Sequence, residues 1–212
     1  MKEYYIIGSS GFAKEVYFLA ENTLDKEIQF SGFIDFRPKE KEIVVRGRKE
    51  RVIDENYFLS NIKPNENISL FMGIGDPKLI NKLSITFKAY KFPNLINKKF
   101  VMDHSISMGS GNIITFGCVF TVDITIGSFN IFNLNSTIGH DTEIGSSNVF
   151  NPGTNISGGV IIGDTNLLGT NSTVLQYKNI GNNNTVGASC LINKDFDSGN
   201  LIVGIPGKVL KR

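Results

Sequence analysis

The chain has 212 residues, of which 41% are hydrophobic and 20% are charged, so it is long enough to bury a core and to form one or two domains. Its 22 basic and 20 acidic side chains give a net charge of +2, which excludes the strongly basic surface of a nucleic-acid-binding protein. No apolar run reaches the roughly 18 residues of a membrane span, and the N-terminus lacks a signal-peptide pattern. With only two cysteines, the sequence predicts a soluble, cytoplasmic protein.

The N-terminal segment predicts an α/β unit, with strands at 4–7, 28–34, near Val44 and at 69–73, and helices at 12–22, 54–61 and 78–88. The first strand leads into Gly8-Ser9-Ser10-Gly11, and the second ends at Asp35. This is the Rossmann order, in which a glycine-rich turn lets phosphate approach the backbone at a helix N-terminus. Because the turn is not GxGxxG and the sheet is short, we interpret the unit as Rossmann-like and binding a mononucleotide diphosphate rather than NAD. A plain tight turn is the alternative.

Charge divides the chain at Pro93. Residues 1–93 hold 28 of the 42 charged side chains and residues 94–193 only 8, whereas 16 of the 23 asparagines lie in that second segment. A step in composition of this size marks a domain boundary. The sequence therefore predicts one domain at residues 1–93 and a second at residues 94–212, which ends in a C-terminal tail.

The second segment repeats with a period of six. Seventeen positions from Ile96 to Ile192, taken every sixth residue and including Met102, are all large and apolar. The residue after each is usually Gly or Asn, which adopt turn conformations easily. This period fits neither an α-helix nor a coiled coil, but it fits a short strand followed by a tight turn. Stacked strands of this kind form a parallel β-helix, whereas a β-sandwich would not hold one register over 17 repeats.

The six-residue pattern resembles that of the hexapeptide-repeat proteins. The resemblance implies three hexads, hence about 18 residues, per coil, and a left-handed β-helix, although most crossover connections are right-handed. With coils of this length, Cys118 and Cys190 lie four coils, about 19 Å, apart. That distance is too long for a disulfide bond, so we interpret both as core thiols.

His104 and His140 are the only histidines. Two histidines cannot supply the three ligands of a zinc-dependent hexapeptide enzyme, so the sequence predicts no metal site. Imidazole is the side chain best suited to accept a proton near neutral pH, and Asp141 follows His140, where its carboxylate can fix the imidazole tautomer. From the residues alone, an inert surface histidine is the alternative to a catalytic one.

Several motifs together carry a more specific resemblance. They are the GSSGFAKEV stretch at 8–16, Asp35, IGHDTEIG at 138–145, ISGG at 156–159 and GIPGK at 204–208. Over nearly the whole chain they resemble the sugar O-/N-acyltransferases. This family contains the sialic acid O-acetyltransferases and the UDP-4-amino-sugar N-acetyltransferases of the bacillosamine pathway.

The resemblance implies a homotrimer that binds acetyl-CoA between adjacent β-helices and a nucleotide-linked sugar on the N-terminal domain. It implies that His140 is the general base, Asp141 its acidic partner and Gly158 the residue whose amide faces the thioester oxygen. The implied CoA contacts are Gly158, Gly159, Thr170 and Ala188, the last two one and two coils further on. The implied nucleotide contacts are Gly8, Ser10, Gly11 and Asp35. His104 is implied to be structural, at the opening of the β-helix.

The activity that these residues imply is acetyl-CoA-dependent N-acetylation of a nucleotide-linked 4-amino-4,6-dideoxy sugar in surface-glycan biosynthesis, by direct transfer without a metal. An O-acetyltransferase of a sialic-acid-like sugar and a non-catalytic trimeric sugar-nucleotide-binding scaffold are the alternatives. The nucleotide loop favours the first, because an enzyme for a free sugar does not need Asp35. Two family features are absent: Val149 stands where a second histidine is common, and an arginine is missing from residues 75–81.

Overall fold

The structure is a computed structural model that describes residues 1–210, so the last two residues of the predicted 94–212 domain lie outside the described residues. Its first part contains β1 (Lys2–Ile7), α1 (Gly11–Thr23), β2 (Ile28–Asp35), β3 (Glu42–Val45), β4 (Arg48–Asp54), α2 (Glu55–Asn61), β5 (Ile68–Met72) and α3 (Pro77–Thr86). Within the described part of the chain, none of the helices has the length and apolar character needed to cross a membrane.

The first five strands form one sheet in the order β3-β4-β2-β1-β5. All pairs are parallel except β3 with β4, and the apolar runs of β1, β2 and β5 supply the buried residues between the helices. The predicted α/β unit is therefore confirmed. The sequence analysis missed β4, because its charged first half hides the strand pattern. A tight turn at Arg46-Gly47, both with positive φ, pairs it with β3 as a hairpin.

The second part of the chain consists of short strands. They are β6 (Leu95–Ile96), β7 (Ser107–Met108), β8 (Ile113–Ile114), β9 (Val119–Phe120), β10 (Thr125–Ile126), β11 (Ile131–Phe132), β12 (Thr137–Ile138), β13 (Glu143–Ile144), β14 (Val149–Phe150), β15 (Asn155–Ile156), β16 (Ile161–Ile162), β17 (Leu167–Leu168), β18 (Thr173–Val174), β19 (Asn179–Ile180), β20 (Thr185–Val186), β21 (Leu191–Ile192), β22 (Leu201–Val203) and β23 (Lys208–Val209).

These strands stack into three sheets that are parallel except for the last pair, β22 with β23, and form a solenoid of the left-handed β-helix type, as predicted. The eight-stranded face runs from β6 to β23; the β9 face contains β9, β12, β15, β18 and β21; the β7 face contains β7, β10, β13, β16 and β19. From β6 to β18 each strand pairs with the strand one coil further on, so that Ile138, for example, lies beside Ile156. The second residue of nearly every two-residue strand is buried, and its side chain fills the interior of the solenoid.

The turns differ from the prediction in where they need special backbone conformations. Every sixth residue from Gly111 to Ser189 has a positive φ, and it is the third residue after the inward apolar one, not the first. The glycines directly after the apolar residues serve a different purpose. A Cβ on Gly145 would lie 2.8 Å from the carbonyl group of Gly163, so these glycines allow adjacent coils to approach closely.

The first coil departs from the predicted register. The sequence analysis predicted Met102 as an inward residue, which is wrong, because it is 43% exposed and lies outside any strand. Phe100 packs into the core in its place, with its ring centroid 5.0 Å from that of Phe120. Side-chain oxygens of Asn97 and Asp103 bond nearby backbone amides and hold this segment in turns, which interrupts the strand pattern.

A ladder of asparagines supports one corner of the solenoid. Buried Asn112, Asn130, Asn148 and Asn166 occupy the same position in four successive coils. The side-chain oxygens of Asn112, Asn130 and Asn148 each accept hydrogen bonds from the backbone amide and the side-chain amide of the next asparagine, at 2.8–3.1 Å. The ladder therefore satisfies buried backbone groups that no strand pairs, and it explains why asparagine is concentrated in this segment.

The eight-stranded face also forms the contact with the α/β region. Its outward residues Ile113, Ile131 and Val149 are buried in the same apolar cluster as Tyr4 and Phe87. The two regions therefore share a continuous core, while the outward residues of the β9 and β7 faces are mostly exposed or partly exposed.

The ladder leads to a stability prediction. Replacing Asn148 by Ala removes the acceptor for two buried donors of Asn166, and each unpaired donor costs about 1–3 kcal/mol. We expect Asn148→Ala to lower the free energy of unfolding by about 2–4 kcal/mol, measured by urea denaturation followed by circular dichroism. The control is Asn179→Ala on the β7 face, where the side chain is exposed. Equal midpoints for the two variants would contradict the structural role of the ladder.

Candidate active site

His140 lies at the corner where the chain passes from the β9 face to the β7 face, which we call the His140 corner (residues 139–142, 157–160 and 175–178). Its Nδ1 lies 2.7 Å from Oδ2 of Asp141. Because a carboxylate only accepts hydrogen bonds, Nδ1 carries the proton in this bond and Nε2 is left with its lone pair. The imidazole is 45% exposed and the carboxylate 64%, so the pair is open to a ligand.

Gly158 lies one coil after His140 and directly against the imidazole ring. A Cβ at this position would lie 2.5 Å from both Cε1 and Nε2 of His140, so only glycine leaves room for the ring. Gly158 is buried, and its amide donates no hydrogen bond to any residue between 1 and 210. Buried amides are rarely unpaired, so the N–H of this residue, which lies against the imidazole, is a candidate donor to a ligand oxygen.

The adjacent turn residues fix this geometry. The amide of Gly159 donates to the carbonyl oxygen of His140 at 2.7 Å, which joins the two coils at the site. Asp141 has a φ of 56°, a conformation that aspartate tolerates better than most residues. The hydroxyl of Thr142 bonds the carbonyl oxygen of Gly139 at 2.8 Å and braces the same turn from inside.

A second site lies at the carboxyl ends of β1 and β2. A cleft of about 220 Å³ is lined there by Gly8 and Asp35 together with Phe36, Glu55, Ile74 and Lys82. In the order β3-β4-β2-β1-β5, the chain passes from β1 to β2 on one side of β1, and β5 later pairs with β1 on the other side. Ligands of open α/β sheets bind at such a switch point. Gly8 has a φ of 101° and a Cβ there would lie 2.9 Å from the carbonyl oxygen of Gly73, so the turn requires glycine.

The four predicted nucleotide contacts lie around this cleft but not all in its wall. Ser9 donates a hydrogen bond to Asp35. Ser10 is the N-cap of α1 and Gly11 its first residue; both are exposed beside the lining. The Ser10 side chain makes no capping bond, so the first amides of α1 face outward, as anion binding at a helix N-terminus requires.

Sequence reasoning missed Glu55 and Lys82 in this cleft. Burial raises the pKa of the Glu55 carboxyl, and the charge of Lys82 partly offsets that effect. Lys82 lies on α3, just after the stretch 75–81 in which the family arginine is missing. It is a cation within the cleft, and no local sequence pattern links it to Glu55.

Thr170 and Ala188 lie at another corner, between the eight-stranded face and the β9 face (residues 133–136, 151–154, 169–172 and 187–190, the Thr170 corner). The sequence analysis counted them as one and two coils beyond Gly158, which is wrong. Thr170 follows Gly158 by two hexads, which is two-thirds of a coil. Both are exposed, and they stack above each other because they are one full coil apart, but a single chain does not bring them to His140.

The remaining candidates differ in burial. The His104 imidazole is 97% exposed and lies 3.4 Å from Asp103, so it does not pack into the opening of the β-helix as a structural role would require. Val149, in place of the second family histidine, is buried against the α/β region. Cys118 and Cys190 are free and buried, as predicted. Among residues 1–210, no group of three or more His, Cys, Asp or Glu side chains is arranged to hold a metal ion.

Fold and site together define a left-handed β-helix protein with an N-terminal α/β region and an exposed imidazole–carboxylate pair. Residues 3–86 match the family model described as the PglD N-terminal domain. No curated protein matches the sequence. The match supports the resemblance in the N-terminal region, and the solved structures below share the fold of the whole chain.

Solved structures share the fold over almost the full chain. A mutant form of perosamine N-acetyltransferase from Caulobacter crescentus, in complex with CoA and GDP-perosamine, is 24% identical, with 100% of this chain and 98% of that chain covered and a TM-score of 0.87. The acetyltransferase domain of PglB from Neisseria gonorrhoeae is 23% identical, with coverages of 99% and 100% and a TM-score of 0.87. WeeI from Acinetobacter baumannii is 27% identical, with coverages of 99% and 100% and a TM-score of 0.85.

The contact between Gly158 and the imidazole can be tested without a substrate. Gly158→Ala places a methyl group where the ring lies, so the imidazole must rotate away from the Gly158 amide. We expect the ¹H–¹⁵N imidazole signals of His140 to shift while those of His104 stay unchanged. The control is Gly75→Ala, since nothing lies within 4 Å of a Cβ at that position. Unshifted His140 signals in Gly158→Ala would contradict the described contact.

The thiols lead to a second prediction. Burial raises the pKa of Cys118 and of Cys190, so the thiolate, the form that attacks a disulfide reagent, is less populated at pH 8 than in a free cysteine. We expect the native protein to react with Ellman's reagent about a hundredfold more slowly than a cysteine peptide, and equally fast in guanidinium. A rapidly reacting thiol in the native protein would show that one cysteine is accessible as a nucleophile.

Proposed function

We propose that the protein is an acetyl-CoA-dependent N-acetyltransferase that acetylates the amino group of a nucleotide-linked 4-amino-4,6-dideoxy sugar, in surface polysaccharide or glycan biosynthesis. The observation that carries the proposal is the His140–Asp141 pair beside the unpaired amide of Gly158. Two structural neighbours support the substrates: the Caulobacter enzyme is bound to CoA and GDP-perosamine, and the gonococcal domain is bound to acetyl coenzyme A.

His140 acts as the general base. The amino nitrogen of the sugar attacks the thioester carbonyl carbon, and the nitrogen must lose a proton for the new amide bond to be stable. Nε2 accepts that proton, because Nδ1 is engaged with Asp141. The carboxylate of Asp141 holds the ring in this tautomer and stabilises the imidazolium that forms.

Gly158 stabilises the tetrahedral intermediate. When the nitrogen adds to the carbonyl group, negative charge develops on the former thioester oxygen. Gly158 lies directly against the imidazole, so a thioester oxygen bonded to the Gly158 amide would place its carbonyl carbon near an amine bonded to His140. Collapse of the intermediate breaks the C–S bond, and the departing CoA sulfur takes the proton from the imidazolium. A single donor of this kind contributes about 3–4 kcal/mol to transition-state stabilisation.

Transfer is direct, without an acyl-enzyme. A covalent route needs an activated nucleophile, and both cysteines are buried, with thiol pKa values raised by that burial. Holding the thioester and the amine in one site supplies the proximity that makes the single displacement fast.

The N-terminal cleft holds the nucleotide in a Rossmann-like manner. The diphosphate meets the outward amides at the start of α1, beside Gly8, Ser10 and Gly11, and Asp35 binds hydroxyl groups of the nucleoside. Lys82 compensates for the missing arginine by supplying a positive charge in the same cleft. We assign this role to a domain of residues 1–93 and the transfer step to a domain of residues 94–212.

A homotrimer completes the site. The proposed CoA contacts Thr170 and Ala188 lie at a different corner from His140 and Gly158, so one protomer presents the acyl-donor groove and its neighbour presents the base. Gly159, next to Gly158, borders the same thioester. Both substrates, an acyl-CoA and a nucleotide sugar, are metabolites of the cytoplasm, where we place the protein.

The central test measures CoA release with a thiol reagent while acetyl-CoA is incubated with UDP-, dTDP- and GDP-linked 4-amino-4,6-dideoxy sugars. We expect His140→Ala to lower kcat by about 10²- to 10⁴-fold, because a general base contributes that much, and Asp141→Asn to cause a smaller loss. His104→Ala, which removes the other histidine, is the control and should retain wild-type kcat.

The alternatives have different outcomes. Release with a free sialic-acid-like sugar but with none of the nucleotide amino sugars would make the protein an O-acetyltransferase. No release with any acceptor would favour a sugar-nucleotide-binding scaffold. Near wild-type kcat in both His140→Ala and Asp141→Asn would overturn the assignment of the base.

A further inference from the structure

Tyr177 lies at the His140 corner, one coil after Gly159, in a position that no motif singles out. Its backbone amide donates to the carbonyl oxygen of Gly158 at 3.1 Å, and a Cβ on Gly159 would overlap its ring. The two glycines thus form a notch. The imidazole of His140, on the preceding coil, lies against Gly158, and the phenol ring of Tyr177, on the following coil, lies against Gly159.

The ring is held there at a conformational cost. Tyr177 has a φ of 57°, which is unfavourable for a bulky residue, and most other turn positions of this kind carry Gly, Asn, Asp or Ser. Phe129 is the comparable aromatic residue: it has a φ of 61° and its ring lies over Gly111 in the same way. Phe129, however, packs against Phe92 at 5.1 Å and helps to join the two regions of the chain.

Tyr177 has no such packing role. Its side chain is 66% exposed, and within residues 1–210 it has no aromatic partner. Tyr4, Tyr5, Tyr17 and Tyr90 bond their hydroxyls to other groups of the chain, whereas the Tyr177 hydroxyl makes no hydrogen bond to any described residue. An exposed ring held in a strained turn beside a candidate active site points to a ligand contact.

We propose that Tyr177 is a specificity-determining residue that contacts the acceptor sugar. This inference rests on the proposed function. Tyr177 belongs to the same corner as the base that receives the proton of the acceptor amine. Of the proposed acyl donor, only the thioester end lies at this corner, at Gly158 and Gly159, whereas Thr170 and Ala188 lie at the Thr170 corner. Its aromatic face offers an apolar surface to one side of the sugar ring and to the methyl group that distinguishes a 6-deoxy sugar, and its hydroxyl remains available to a sugar hydroxyl.

Steady-state kinetics of Tyr177→Ala and Tyr177→Phe test the inference. We expect Tyr177→Ala to raise the KM for the nucleotide amino sugar about tenfold, with kcat and the KM for acetyl-CoA within about threefold, because one aromatic contact to the acceptor is lost. Tyr177→Phe keeps the ring and should keep this KM within about threefold. The preference for a 6-deoxy over a 6-hydroxy acceptor should shrink in Tyr177→Ala, an effect that a purely structural role would not produce.

Asn183→Ala is the matched control, because Asn183 is also exposed and has a φ of 58°, but lies at the remaining corner. It should leave all three kinetic parameters unchanged. An unchanged acceptor KM in Tyr177→Ala, or a rise in the KM for acetyl-CoA instead, overturns the inference even if His140→Ala is inactive and the proposed function stands. If the wild-type protein acetylates no amino sugar, both this inference and the proposed function are overturned.

Discussion

Backbone hydrogen bonds between successive coils are the constraint on which the second half of the molecule depends. The amide of Gly139 bonds the carbonyl oxygen of Ile156, and the amide of Ser157 bonds that of Val174, at 2.8 and 3.0 Å. Such bonds hold neighbouring coils about 4.8 Å apart, close enough that a side chain on one coil must fit the backbone of the next. The imidazole against a glycine is one consequence of this spacing, and the asparagine ladder is another.

The part of this arrangement that the sequence predicts is the part that repeats. Apolar residues every six positions give the inward face, and the three hexads per coil that the resemblance implies place Ile138 beside Ile156. The order of strands, helices and the Gly8 turn likewise predicts the α/β region, because local patterns carry that information. The pairing of His140 with Asp141 can be predicted because the two residues are adjacent in sequence.

The sequence does not predict contacts that depend on which face or corner of a coil each residue occupies. Thr170 is placed at the wrong corner when coils are counted from Gly158, because that count ignores which third of a coil a residue occupies. The register fails at Met102, because Asn97 and Asp103 side chains compete with strand pairing there. Lys82 and Glu55 reach one cleft from separate helices, and nothing local to either residue indicates that they meet.

The separation of the corners has a chemical consequence. A triangular solenoid directs its three corners away from each other, so groups at the His140 corner and at the Thr170 corner of one chain cannot converge on one thioester. If both corners take part in transfer, the reacting atoms meet only where two copies of the chain lie side by side. In that case the site forms only on assembly. Because the stacked coils make each corner rigid, the two corners then meet in a fixed alignment where the copies touch. Within each copy, the stacking of one coil on the next already fixes the imidazole against Gly158.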